Sequence, residues 1–247
     1  MGRARLALGC AALLMIAGCA APGGTTSAGP PAAASSPTPT RVAPTDLPAS
    51  VAASPGASLV VLPDDRSGAA LDRPFTYRGV VLLNKFHPVT KAYAPSVGKG
   101  YQLLPEADRA FGDMVAAAKK DGAHIIWRVG YRSYAVQAEL AEHPPTQYGD
   151  DAELYVARPG QSEHQAGLAV DVASKDGFGT RFPETKEFAW LRAHAHTYGF
   201  ILRYPEGKTA VTGLNYEPWH YRYIGPASAA AFGANSTLTL EEYLGGR

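Results

Sequence analysis

Two short segments carry the residue types from which a hydrolytic metal site can be built. Residues 162–171 read Ser162-Glu163-His164-Gln165-Ala166-Gly167-Leu168-Ala169-Val170-Asp171, and residues 216–223 read Tyr216-Glu217-Pro218-Trp219-His220-Tyr221-Arg222-Tyr223. Two imidazoles and one carboxylate, from His164, Asp171 and His220, make a three-ligand zinc set that leaves a fourth position open for water. An open position suits hydrolysis, because bound zinc brings the pKa of its water towards neutrality and polarises a scissile carbonyl. Glu217 is then a spare carboxylate three residues before a ligand, where it can act as general base. The residues alone also allow a plainer reading, since scattered His, Asp and Glu occur in most domains and a lone histidine is often a packed or surface residue. His194 and His196 lie two apart on an expected helix, about 200° around its axis, and so cannot share a metal. His87, His124 and His143 have no partner at ligand spacing, and all five are expected to be structural or surface residues.

The elements expected to position these groups alternate along the chain. Residues 105–120 read as a helix, with Pro105 in the first turn, Glu106 and Asp108 near its positive end, Lys119 and Lys120 near its negative end, and Gly122 as terminator. Its apolar face is Ala107, Ala110, Phe111, Met114, Val115 and Ala118. A strand is expected over 124–129, then the loop Gly130-Tyr131-Arg132-Ser133, with Ser133 capping a short helix that reaches about Glu142. Residues 143–161 form a polar, Pro/Gly-rich loop. A short strand over 168–172, an amphipathic helix over 184–198 stopped by Gly199, a strand over 200–203 and an aromatic-rich strand over 216–224 complete the pattern. Tyr216, Trp219, Tyr221 and Tyr223 are expected in the core or a pocket wall, because a strand sends alternate side chains to opposite faces. This irregular order of strands and helices predicts an α+β domain with an antiparallel sheet.

Composition narrows the setting. The chain has 247 residues, 46% hydrophobic and 18% charged, with 23 Lys+Arg against 22 Asp+Glu, which excludes a disordered polyelectrolyte and a basic nucleic-acid binder. Residues 1–58 hold only Arg3, Arg5, Arg41 and Asp46 as charged side chains. Arg3 and Arg5 precede an apolar run from Leu6 to Ile16, too short for a bilayer span of about 20 residues, so residues 1–18 read as a signal peptide. The run ends in Ile16-Ala17-Gly18-Cys19, similar to a bacterial lipobox with Cys19 as the lipidated residue, the other reading being an ordinary cleaved signal. With Cys10 lost and Cys19 acylated, the remainder holds no thiol, which excludes a disulfide or a thiolate metal site. Residues 19–70 form a Pro/Ala/Ser/Thr-rich linker, densest over 20–58, a tether that would reach roughly 35 Å as a coil or about 120 Å fully extended. The folded domain is expected over 71–247, as a monomer facing the bacterial cell wall.

The pattern Ser-x-His-x-x-Gly-x-Ala-x-Asp, followed by Glu-x-x-His inside Tyr216–Tyr223, resembles the VanY-type D-alanyl-D-alanine carboxypeptidases. The likeness extends through Leu83-Asn84-Lys85, Gly130-Tyr131-Arg132-Ser133, Tyr198-Gly199-Phe200-Ile201-Leu202-Arg203-Tyr204-Pro205 and Leu240-Glu241-Glu242-Tyr243-Leu244. The resemblance implies a single compact α+β domain of the lysostaphin/D-Ala-D-Ala metallopeptidase/hedgehog group, with a small antiparallel sheet flanked by helices and the zinc site on the sheet. It implies one Zn2+ held by His164, Asp171 and His220, and Glu217 as the base that activates water and later protonates the leaving amine. Arg132 matches the substrate arginine, able to stabilise an oxyanion or a terminal carboxylate. Gln137 and Ser162 fall where relatives hold the peptide's C-terminal end. The implied activity removes the terminal D-alanine from peptidoglycan stem pentapeptides. The competing expectations are an L,D-carboxypeptidase, which shortens tetrapeptides, and a zinc-stabilised wall-binding module without catalysis.

Overall fold

A computed structural model describes residues 61–245. Its first regular feature is a hairpin of β1 (Phe75–Tyr77) and β2 (Val80–Leu82), joined by Arg78 and Gly79 at φ of 51° and 78°. Two successive left-handed residues are what a tight two-residue hairpin requires, and glycine adopts that conformation at little cost. Packing begins upstream of Leu71, since Leu62 is buried and its carbonyl meets Nε2 of His87 at 3.1 Å. Cys10, Cys19 and the signal and linker residues before 61 lie outside the described residues. Among those described, no helix is long and apolar enough to cross a membrane.

Helix α1 (Pro105–Lys120) has the expected boundaries, and Ala107, Phe111, Met114 and Ala118 form its fully buried stripe. These positions recur at helical spacing and seat the helix on the main core. Strand β3 (Ile126–Val129) is followed by α2 (Tyr134–Glu142), whose first turn is capped by Ser133 Oγ accepting from Val136 N at 3.3 Å. Strand β4 (Ala169–Ala173) is buried along its whole length. Helix α3 (Lys186–His194) starts two residues later than the expected Glu184, because Thr185 caps its first turn, accepting from Phe188 N at 3.2 Å. It gives way at Ala195–Tyr198 to a tighter 3-10 turn that Gly199 ends at φ 84°.

Strand β5 (Phe200–Leu202), helix α4 (Thr209–Thr212), strand β6 (His220–Tyr223) and helices α5 (Pro226–Ala229) and α6 (Leu240–Gly245) complete the chain. The four-stranded sheet is antiparallel throughout, in the order β3-β4-β6-β5. Its two faces differ in chemistry. Val170, Val172, Tyr221, Tyr223, Phe200 and Leu202 join Phe111 and Met114 of α1 in the main core. By strand alternation the opposite face carries Asp171, His220, Arg222 and Ile201. Ile201 packs there with Val80 and Leu82 of the hairpin and Leu240 and Leu244 of α6. The domain is therefore α+β with a small antiparallel sheet, as expected, and the polar groups sit on the face that the hairpin and α6 partly cover.

Helix α6 is held by a reciprocal cap. Thr239 Oγ1 accepts from Glu242 N at 3.1 Å, and a Glu242 carboxylate oxygen accepts from Thr239 N at 3.0 Å. Burial would raise the Glu242 pKa, but Lys208 Nζ at 2.8 Å and Thr239 hold it below its ordinary 4.5. A depressed folded-state pKa contributes stability that is complete above the unfolded value and is lost as pH falls through the folded one. Glu242→Ala should therefore cost about 1–2 kcal/mol at neutral pH. Urea unfolding should show that gap narrowing once the pH drops below about 4.5.

Candidate active site

The sheet register sets the first half of the site. Asp171 in β4 stands directly opposite His220 at the start of β6. The other imidazole comes from a 3-10 turn, Glu163–Ala166, ended by Gly167 at φ 66°. A side chain on Gly167 would meet Val97 Cγ1 at 2.8 Å, so the turn that delivers His164 needs glycine for conformation and for space. His164 Nδ1 donates to the Gly130 carbonyl at 2.7 Å, which leaves Nε2 with a free lone pair.

That Nε2 lies 3.3 Å from Asp171 Oδ1, and His220 Nδ1 lies 3.2 Å from the same oxygen. The three ligand atoms fall within 4.8 Å of one another, and all three residues are buried. Asp171 Oδ1 has no hydrogen-bond partner among the described residues. Burial would lower the pKa of His220, yet the adjacent Asp171 and Glu163 carboxylates lift it to about 9. Burial would raise that of Asp171, but the two histidines hold it well below the carboxylate range. A buried, unpartnered carboxylate oxygen set between two imidazoles is a ready seat for a cation. Two imidazole nitrogens and one carboxylate oxygen with an open side suit a tetrahedral divalent ion such as Zn2+.

Glu217 is also brought in, by a route that differs from the expected one. Residues 216–219 are not strand: Pro218 and Trp219 form a turn, with His220 N bonded to the Glu217 carbonyl at 3.1 Å, and β6 begins only at His220. In a continuous strand residues three apart point to opposite faces. The turn instead sets a Glu217 carboxylate oxygen 3.5 Å from His220 Nδ1. Burial pushes the Glu217 carboxyl up to about 8, with His220 and Arg132 opposing and Asp171 adding to the shift.

Arg132 follows β3, and its backbone N–H donates to the His164 carbonyl at 3.1 Å, tying the two loops together. One guanidinium nitrogen donates to Gln137 Oε1 at 2.8 Å, and the other lies 4.0 Å from Asp171 Oδ2. The Gln137 amide in turn donates to the Ala157 carbonyl at 2.6 Å. Gln137 thus braces Arg132 from behind, while Ser162 lines the cavity beside the ligands. Gly130 fits this junction tightly, since a Cβ there would lie 2.1 Å from the Tyr101 carbonyl oxygen.

The cavity over the ligands has a volume of about 90 Å³ and is walled by Arg132, Tyr148, Glu217 and Trp219 among others. The 143–161 loop contributes Tyr148, which stacks on Tyr155 with ring centroids 4.7 Å apart. Burial and the nearby Glu217 and Asp171 charges raise the Tyr148 pKa. A second cavity of about 350 Å³ shares the wall residues Val156, Ala157, Tyr204 and Leu214 and extends to Lys85. Of the five histidines expected to be bystanders, His87 is fully buried and bonded to Asn84 and Leu62, His196 is half-buried, and His124, His143 and His194 are exposed.

Sequence reasoning gave no role to Glu163, which lies inside the quoted motif. It is buried with Arg203 and Arg222 in an ion cluster. Burial would raise its pKa, but the two guanidinium groups hold it below the carboxylate range. The signal available was the pair of arginines in otherwise apolar β5–β6 segments, which demand a buried counter-charge.

A buried His/Asp/His set on a small antiparallel sheet, with a carboxylate and an arginine beside an open cavity, defines a metallopeptidase-like site. Comparison with known proteins makes the class specific. The family model described as VanY, D-alanyl-D-alanine carboxypeptidase, matches residues 100–226. A D-alanyl-D-alanine carboxypeptidase of Enterococcus faecalis is 35% identical over 178 residues, covering 67% of this chain and 65% of its own length. The chain spans between 58% and 66% of the length of three curated relatives, this one included. Among solved structures, the vancomycin-resistance D,D-pentapeptidase VanY, in complex with Zn(II), superposes with a TM-score of 0.57 at 35% identity, covering 66% of this chain and 97% of that one. The LdcB LD-carboxypeptidase gives a TM-score of 0.59 at 33% identity, covering 69% and 92%. The chain belongs to the VanY D-alanyl-D-alanine carboxypeptidase family.

Proposed function

We propose that this protein is a zinc-dependent carboxypeptidase that removes the C-terminal D-alanine of peptidoglycan stem pentapeptides. The observation that carries this reading is Glu217, a buried carboxylate held beside a three-ligand set and facing an open cavity. A zinc-stabilised binding module would need the ligands but not this acid.

His164, Asp171 and His220 would hold the zinc ion, which supplies a Lewis acid for the scissile carbonyl and makes water acidic enough to attack at neutral pH. Glu217 takes the proton of the attacking water on its carboxylate and hands it to the nitrogen of the departing D-alanine. Arg132 binds the anionic end of the peptide or the developing oxyanion, with its fork held in place by Gln137. Ser162 offers a hydroxyl at the cavity wall for the C-terminal residue. The adjoining cavity gives the upstream part of the stem peptide a place to lie. Lipidation at Cys19 after removal of residues 1–18, with the linker as tether, would hold the domain at the membrane within reach of the wall. The catalytic unit is a monomer in this reading.

The similarity to LdcB supports one other specificity, the L,D cut that turns tetrapeptides into tripeptides. Incubating the zinc-loaded protein separately with a stem pentapeptide and a stem tetrapeptide, each followed by mass spectrometry, distinguishes them. We expect loss of one alanine from the pentapeptide only. Loss from the tetrapeptide would move the assignment to L,D, and loss from neither would leave the binding module.

A further inference from the structure

The mechanism above leaves one buried carboxylate at the ligands without a task. Glu163 is 1% exposed and precedes His164 in the chain. Its Oε1 accepts from Arg203 Nε at 2.8 Å and from an Arg222 guanidinium nitrogen at 2.6 Å. Its Oε2 has no hydrogen-bond partner among the described residues, and it lies 3.5 Å from Nε2 of His220, a ring nitrogen that likewise has none. A buried acceptor and a buried ring nitrogen able to donate thus face each other.

The tautomer follows from the other side of the ring. His220 Nδ1 is turned to Asp171 Oδ1 and the ligand set. An imidazole that gives one nitrogen's lone pair to a metal carries its proton on the other, and an acceptor there fixes the ring and strengthens it as a ligand. His164 meets the same need through the Gly130 carbonyl. For His220 the acceptor available is Glu163. A counter-ion role for the buried arginines accounts for Oε1, which takes both guanidinium bonds, but it leaves Oε2 without a purpose.

We propose that Glu163 is the positioning residue of His220, accepting from Nε2–H and holding Nδ1 towards the metal. The inference rests on the zinc reading of the His164, Asp171 and His220 set. Arg203 is shared with Glu241 of α6, onto which its two terminal nitrogens fork at 2.9 and 2.6 Å.

The test compares zinc dissociation constants, by competition with a chromogenic chelator, for the full-length wild type, Glu163→Gln and Glu241→Gln. Each substitution removes one negative charge from the Arg203 cluster, but only the first faces His220. Glu163→Gln should weaken zinc binding about 10–100-fold, with Glu241→Gln within about threefold of wild type. The visible spectrum of the cobalt(II)-loaded protein should change in Glu163→Gln alone. Equal affinities and an unchanged cobalt spectrum would overturn the proposal. Should Glu163→Gln fail to fold, nitrogen-15 NMR of the zinc-loaded wild type reads the same point: a slowly exchanging proton on His220 Nε2 is expected, and a bare or freely exchanging Nε2 overturns it. A wild type that binds no zinc would remove the metal reading itself, an outcome plainly different from variants that bind alike.

Discussion

Glu217→Gln is expected to retain zinc and fold while losing about 10²–10⁴-fold in turnover of a D-alanine-terminated stem peptide. The amide is nearly isosteric with the carboxyl, so the turn at Pro218 and Trp219 and the packing around it should persist. What disappears is a group that can take a proton and return it. Glu217 stands 3.5 Å from His220 Nδ1 and is 5% exposed, so bulk water cannot easily replace it. The loss should fall on kcat more than on KM, because the carboxyl acts in the transition state rather than in holding the peptide. Steady-state kinetics on zinc-loaded protein, with metal content measured on the same sample, decide the matter. Turnover within a few-fold of wild type would remove Glu217 from the chemistry.

Arg203→Met should be the most destabilising single change at the sheet's polar face. Arg203 is completely buried and bonds Glu163 and Glu241 at once. Its removal leaves Glu163 to Arg222 and leaves Glu241 to the Asn84 amide at 3.3 Å. Stripping one partner from a buried ion cluster costs about 3–5 kcal/mol, since the remaining charge stays desolvated. Arg203→Lys should recover only part of this, because an ammonium cannot reproduce a fork that reaches two carboxylates. Urea unfolding of the metal-free protein measures both effects without interference from zinc. A loss under about 1 kcal/mol for the methionine variant would mean that the cluster relaxes or hydrates, and that its charges are not held as described.

Which parts of this site could be read from the sequence depended on whether the information was local. Helix α1 was fully readable because its proline, acidic start, basic end and apolar spacing all agree within sixteen residues. Likewise His164, Asp171, His220 and Glu217 stood out by type and order. How Glu217 reaches the metal side did not, since an aromatic run after Pro218 reads as strand, and only the fold shows that a turn must reverse its direction. The late start of α3 had a visible sign in Thr185 with Glu187 and Phe188 after it, outweighed by the longer amphipathic pattern. Thr239 followed by Glu242 is a capping signature that could have placed the start of α6. The contribution of Tyr148 was out of reach, because it arises from a loop without periodic pattern; Arg203 and Arg222 signalled a buried counter-charge, but only the fold shows that it is Glu163, 40 and 59 positions away.

The most direct test of the central claim is metal-dependent release of D-alanine. The protein stripped by a chelator should leave a stem pentapeptide intact, and addition of one equivalent of Zn2+ should restore loss of a single terminal alanine, read by mass spectrometry. Cleavage that persists in fully stripped protein, or zinc bound at the histidines with neither peptide shortened, would contradict a zinc carboxypeptidase built on His164, Asp171, His220 and Glu217.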